Sequence, residues 1–128
     1  MRLAAQPATL SLIRERLRQW LTTHQWPDAE IEDLVLAVSE AASNVVDHAY
    51  VQQAQGDIEI AGRVTVESGG VRIVELTVRD HGHWRPVPER SDNRRRGIPL
   101  MKAAVADLAI HGTDHGTCVR MRGRSVGR

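Results

Sequence analysis

The sequence predicts a two-layer α+β sandwich, a mostly antiparallel sheet with helices packed on one face. Three observations carry that expectation. Two stretches with apolar residues at helical spacing open the chain, the apolar period becomes alternating after Gly56, and a hairpin pattern closes the chain around a Gly-containing turn. All 128 residues are expected to form one domain, 1–128.

Each element has its own local reason. Leu10, Ile13, Leu17 and Leu21 share one face of a helix from about Thr9 to Thr23, with Arg14, Glu15, Arg16 and Arg18 between them. Pro27 then precedes Asp28-Ala-Glu30-Ile31, a helix start with acids in the first turn, where they complement the dipole. Its apolar stripe, Ile31, Leu34, Val35, Val38, Ala42 and Val45, runs to about His48. Ile58, Ile60, Val64 and Val66 alternate as a strand, with a break or bulge expected near Ala61-Gly62. Ser68-Gly69-Gly70 signals a turn, and Val71 to Asp80 pairs back as a second strand. From His81 to Pro99 there is no period but three Pro and five Arg, so a long loop is expected. Leu100 to Asp107 resumes a helix. Leu108–His111 and Thr117–Arg122 then form the closing hairpin around Gly112–Gly116, and Gly123–Arg128 is expected to fray.

Composition narrows the function classes. The chain is 41% hydrophobic and only 3% aromatic with no Phe, so the core must be aliphatic. A net charge of +1 gives no electrostatic case for general nucleic-acid binding. Cys118 is the single cysteine, which excludes an intramolecular disulfide and fits a reducing cytoplasm. There is no apolar run of membrane-spanning length and no signal-peptide core near the start, so a cytoplasmic protein without membrane contact is expected.

Three polar clusters interrupt the apolar pattern. Glu40, Asn44 and His48 stand at i, i+4 and i+8 on the second helix, with Asp47 beside them. A carboxylate and an amide one turn apart can hold a divalent cation and orient an attacking group; a solvated helix face would look the same. Asp80-His-Gly82-His-Trp84 ends a strand, where a fixed carboxylate could accept from an exocyclic amine and Gly82 would let a flat ring approach. Arg94-Arg-Arg96-Gly97-Ile-Pro99-Leu100 runs into a helix start, a junction that offers N–H and guanidinium donors to phosphate; a solvated charge run is the plainer alternative.

In order, these clusters resemble the nucleotide-binding boxes of the GHKL (Bergerat-fold) ATPase and kinase superfamily, in its anti-sigma-factor serine/threonine kinase form. Glu40-Ala-Ala-Ser-Asn44-Val-Val-Asp-His48-Ala-Tyr50 resembles the N box, and Asp80-x-Gly82-x-Trp84-x-Pro86 the G1 box. Arg96-Gly97-Ile-Pro-Leu100-Met101 resembles the G2 box, and Gly116-Thr117-x-Val119 the terminal GT motif. The resemblance implies ATP and Mg²⁺ as cofactors, with Glu40 as general base and Asn44 as the Mg²⁺ ligand. It implies that Asp80 reads adenine with Gly82 and Thr117. Arg96, Gly97 and Leu100 would belong to a lid over the phosphates, mobile from about Pro86 to Arg96 without nucleotide. Asp47 and His48 would flank the same site.

The implied function is a protein serine/threonine kinase and transcription regulator. It would sequester a sigma factor and phosphorylate an anti-anti-sigma (STAS-type) antagonist, and such regulators often dimerise. Two positions depart from the pattern: Pro99 stands where many members carry a second Gly, and Trp84 where many carry Gly. Pro99 removes an N–H that could hold phosphate, so a nucleotide-dependent protein-binding module with little or no kinase activity is the alternative. A sensor histidine kinase domain is disfavoured, because no upstream helix offers a phospho-accepting His. Zinc binding by His81, His83, His111 and His115 is a further alternative, for which the spacing is incomplete.

Overall fold

The computed structural model describes residues 1–49, 56–82, 92–113 and 115–127; the side chains of 48–49 and 92–97 lie outside that description. Strand β1 (Arg2–Ala4) leads into helices α1 (Pro7–Thr23) and α2 (Asp28–Asn44), and α2 continues as a π-helical turn, Val45–Ala49. Strands β2 (Asp57–Val66) and β3 (Arg72–Asp80) follow, then α3 (Asp92–Ala104), β4 (Asp107–Thr113) and β5 (Gly116–Arg122). The strands form one sheet in the order β1-β2-β3-β5-β4, with every neighbouring pair antiparallel. The α+β architecture is the expected one.

The core lies between the helices and one face of the sheet. Ile13, Leu17 and Leu21 of α1 and Leu34, Val35 and Val38 of α2 are buried, the stripes that helical spacing selected. They meet alternate residues of the strands, Ile58 and Ile60, then Val74, Leu76 and Val78, then Val119 and Met121. Met101 of α3, fully buried, completes this aliphatic core. The turn between α1 and α2 is tied to the sheet by Arg72. Its guanidinium lies 4.8 Å from the Trp26 ring centre and donates to the His24 and Gln25 carbonyls.

Several local expectations are revised. The β2–β3 register runs unbroken from Ile58↔Asp80 to Val66↔Arg72, so there is no bulge at Ala61-Gly62. Gly62 serves packing instead: a Cβ there would lie 2.9 Å from the Trp20 ring. The loop expected up to Pro99 gives way to α3 at Asp92, and Pro99 sits inside that helix. α3 ends at Ala104 rather than Asp107, and Asp107 already belongs to β4. Strand β1, which alternation over so few residues does not reveal, pairs with Asp57–Glu59 of β2. The C-terminal segment is anchored and not frayed. Val126 is 8% exposed and exchanges two 2.8 Å backbone hydrogen bonds with Arg72.

Candidate functional site

Strand alternation carries the apolar inner face of β3 through Val74, Leu76 and Val78 to Asp80 at the strand end. The same alternation in β5 runs back from Met121 and Val119 to Thr117. The two strands pair with Asp80 directly opposite Thr117, so the core face ends in a polar pair at one pole of the sheet. Asp80 is 2% exposed and Thr117 3%. Asp80 Oδ1 accepts from the Gly82 N–H at 2.9 Å, and the Thr117 N–H lies close enough to favour the ionised carboxylate.

Burial pushes the Asp80 carboxyl above the ordinary carboxylate range; the Gly82 and Thr117 N–H groups and nearby His81 oppose that shift only in part. A raised folded-state pKa means that this group favours the fold at low pH. That contribution is lost as the pH rises through the raised pKa and the buried carboxylate ionises. An ionised Asp80 therefore gains from any further hydrogen-bond donor placed against it.

Of the three buried side-chain atoms without a protein partner among the described residues, Trp26 Nε1 lies apart, in the ring beneath Arg72, and the other two point the same way. Among the described residues, the buried polar side chains are Thr9, Asn44, Asp80 and Thr117. Thr9 is satisfied, its hydroxyl donating to the Ala4 carbonyl at 2.7 Å. Thr117 Oγ1 and Asn44 Nδ2 are buried without a protein partner. Such atoms each cost about 1–3 kcal/mol in a closed interior, a cost that a polar ligand would remove. An amide in this position can offer Nδ2 to a phosphate oxygen and its oxygen to a cation, and a hydroxyl beside a carboxylate suits a heteroaromatic ring edge. These donors fit a nucleotide with Mg²⁺.

Gly116 sets the geometry of the pair. It has φ +139°, and a Cβ there would collide with the Asp80 carbonyl oxygen. Without a side chain, the β4–β5 turn closes directly onto the end of β3. A cavity of about 280 Å³ wraps these strand ends, bordered by Asp80, Gly116 and Thr117 together with Arg79, His81, His111, Thr113, His115 and Cys118. Sequence reasoning placed Gly116 in a motif but missed its contact with Asp80; a Gly before the Thr of the last strand was the available signal. It also did not foresee His111 and Thr113 beside that cavity.

The other predicted residues are placed less uniformly. Glu40 is half-buried on α2, one turn before buried Asn44, as the spacing required. Neither borders the cavity at Asp80. Beyond Asn44 the backbone runs as a π-helix, so the i, i+4, i+8 stripe expected to reach His48 is interrupted there. Asp47 is exposed within that turn, and the side chain of His48 lies outside the described residues. Arg96 and Gly97 fall on α3 rather than on a loop, their side chains also outside the description, and Leu100 is 42% exposed on the same helix. Tyr50, Trp84, Pro86 and the lid segment up to Ser91 lie outside the described residues. Among those described, no group of three His, Cys, Asp or Glu side chains is arranged to hold a metal, so the zinc alternative gains no support; His83 is not among them. No helix among the described residues is long and apolar enough to cross a membrane.

Comparison with known proteins identifies the family. Residues 3–123 match the family model of the histidine kinase-like ATPase domain. The chain is similar to the serine-protein kinase RsbW of Bacillus subtilis, 40% identical over 60 residues, which are 47% of this chain and 38% of that protein. It is also similar to RsbW of Bacillus pumilus, 36% identical over 74 residues, which are 58% and 46% of the two chains. These matches span less than half the length of the curated relatives. Among solved structures, the RsbU and RsbW domains of Rv1364c from Mycobacterium tuberculosis superpose with a TM-score of 0.72 at 23% identity. That match covers 100% of this chain and 33% of that one, a likeness of fold. The histidine kinase domain of the Erythrobacter litoralis blue-light activated kinase gives a TM-score of 0.55 at 27% identity, over 76% and 48% of the two chains.

Proposed function

The chain belongs to the histidine kinase-like ATPase domain family, and from that premise we propose that it is an ATP-dependent serine/threonine kinase of the anti-sigma-factor type. One observation carries the nucleotide half of this reading. A buried, ionisable Asp80 faces Thr117, whose buried hydroxyl has no protein partner, at the strand end where the family resemblance expects adenine. In this reading Asp80 accepts from the exocyclic amine, and Thr117 fills its open bond on the ring edge. Asn44 Nδ2 donates to a phosphate oxygen. Mg²⁺, held through Asn44, would supply charge neutralisation on the phosphates.

Glu40 acts on the acceptor. Its carboxylate takes the proton from a Ser or Thr hydroxyl of the antagonist while that oxygen bonds to the γ-phosphorus and the bond to the ADP oxygen breaks. The name borne by the RsbW relatives supports serine as the acceptor. The sigma factor and the STAS-type antagonist as partners, a homodimer, a cytoplasmic location and a single domain over 1–128 rest on the resemblance. Pro99 within α3 favours a second reading, a nucleotide-dependent binding module with weak turnover, because it removes an internal hydrogen bond from the helix that carries Arg96 and Gly97.

Calorimetric titration of ATP and ADP, with and without Mg²⁺, tests the proposal. Saturable binding strengthened by Mg²⁺ is expected; no heat and no competition with a fluorescent ATP analogue would exclude a nucleotide site. The titration should also depend on pH. A donor against Asp80 favours the ionised form, so binding releases protons near the raised pKa of that group. Affinity should fall as the pH drops through it, approaching about tenfold per pH unit. Repeating the titration in buffers of different ionisation enthalpy reads the released proton. A flat profile down through the carboxylate range would remove Asp80 from the site.

A further inference from the structure

Helix α3 carries Arg96, Gly97 and Leu100, while α2 carries Glu40 and Asn44. If the two groups act on one nucleotide, the helices must keep a fixed position relative to each other. The last carbonyls of α3 have no partner within the helix and gather the negative end of its dipole. Arg124, beyond the last strand, meets them. Its Nη2 donates to the Ala103 carbonyl at 2.8 Å and its Nη1 to the Ala104 carbonyl at 3.4 Å. The same Nη1 lies 2.9 Å from Asp33 Oδ2 and 3.7 Å from Glu30 Oε2, both on α2.

One guanidinium therefore caps α3 and ties that cap to the outer face of α2. A planar fork with donors in fixed directions is pre-organised for this; an ammonium on a flexible stem is not. On the sequence-proximal side of this anchor, Pro99 leaves α3 without the N–H that would bond back to the Arg95 carbonyl. The anchor at Ala103–Ala104 adds to the packing of buried Met101 and Ala104 and half-buried Ile98 against the core.

We infer that Arg124 is a positioning residue for the phosphate half of the site, setting α3 against α2, and that it has no part in reading adenine. The inference rests on the nucleotide reading above. Its signature follows from topology: Asp80 and Thr117 stand on β3 and β5, away from the Arg124 contacts, so phosphate and base recognition should separate. Arg124 and Asp33 are each 44% exposed, so as an ion pair they stabilise the fold only weakly.

The test measures ATP and adenosine affinities of the wild type, Arg124→Ala, Arg124→Lys and Asp33→Asn, with hydrogen exchange over α3 in the free proteins. Arg124→Ala should weaken ATP about 5–20-fold while adenosine stays within about twofold. The α3 amides from Met101 to Ala104 should exchange faster, and the melting temperature should change little. Arg124→Lys and Asp33→Asn should fall between. Equal losses for ATP and adenosine, or an unchanged ATP affinity with a lower melting temperature, would reduce Arg124 to a structural contact. A wild type that binds neither ligand overturns the nucleotide reading and this role with it. ATP binding that all three variants leave intact overturns the role of Arg124 alone.

Discussion

Glu40→Ala is expected to remove transfer of labelled phosphate to a cognate antagonist while leaving ATP affinity within a few-fold of wild type. Loss of a general base alone typically lowers a rate by about 10²–10⁴-fold, the largest effect expected of any single change in this chain. The carboxylate is half-buried, one helical turn from the buried amide of Asn44, and does not border the cavity at Asp80. That position is compatible with the proposed action on an acceptor rather than on the base. Glu40→Gln separates proton removal from shape: it should lose transfer as fully as the Ala variant if the carboxylate is the base. Retained transfer in Glu40→Gln would assign Glu40 to orientation by hydrogen bonding. A wild type that binds ATP and partner proteins yet transfers no phosphate would favour the binding-module reading, and Pro99→Gly becomes the first reversion to make.

Asp80→Asn should weaken ATP and ADP alike. The lost charge-assisted bond is worth about 1.5–3 kcal/mol, roughly 10–150-fold in Kd. The amide can still accept from Gly82 N–H, which now bonds Asp80 Oδ1 at 2.9 Å, so the strand end should keep its shape. Its NH₂ group, however, presents a donor to the adenine amine. The acid limb of the pH profile should vanish with the carboxyl group. Calorimetry at two pH values, beside a melting curve, checks all of this. An affinity equal to wild type would mean that the buried carboxylate serves the fold alone.

Much of this site was legible because its signals are local. A helical period places Glu40 and Asn44 one turn apart whatever lies around them, but it left open whether that face is solvated, and only the packing of α2 buries Asn44. Alternation likewise sends Asp80 to the same face as Val74, Leu76 and Val78. Where local rules compete, reading failed. Gly97, Pro99 and the missing apolar period argue against a helix, yet α3 forms through them and buries Met101 completely, so tertiary packing overrides propensity there. The π-helical turn after Asn44 leaves no trace in the apolar period.

By itself, then, the sequence determined which residues are polar on an apolar face, the class of fold, and the ordered boxes that carry the family resemblance. Those properties depend on spacing along the chain. Tertiary structure alone decided what stands opposite what. Pairing of β3 with β5 brings Thr117 to Asp80, and the missing side chain of Gly116 lets the last turn close on that pair. Packing of the C-terminal segment turns residues that looked frayed into a strand partner for Arg72 and a cap for α3. Contacts between distant residues become favourable only once the core has drawn their elements together, and no local pattern encodes that step.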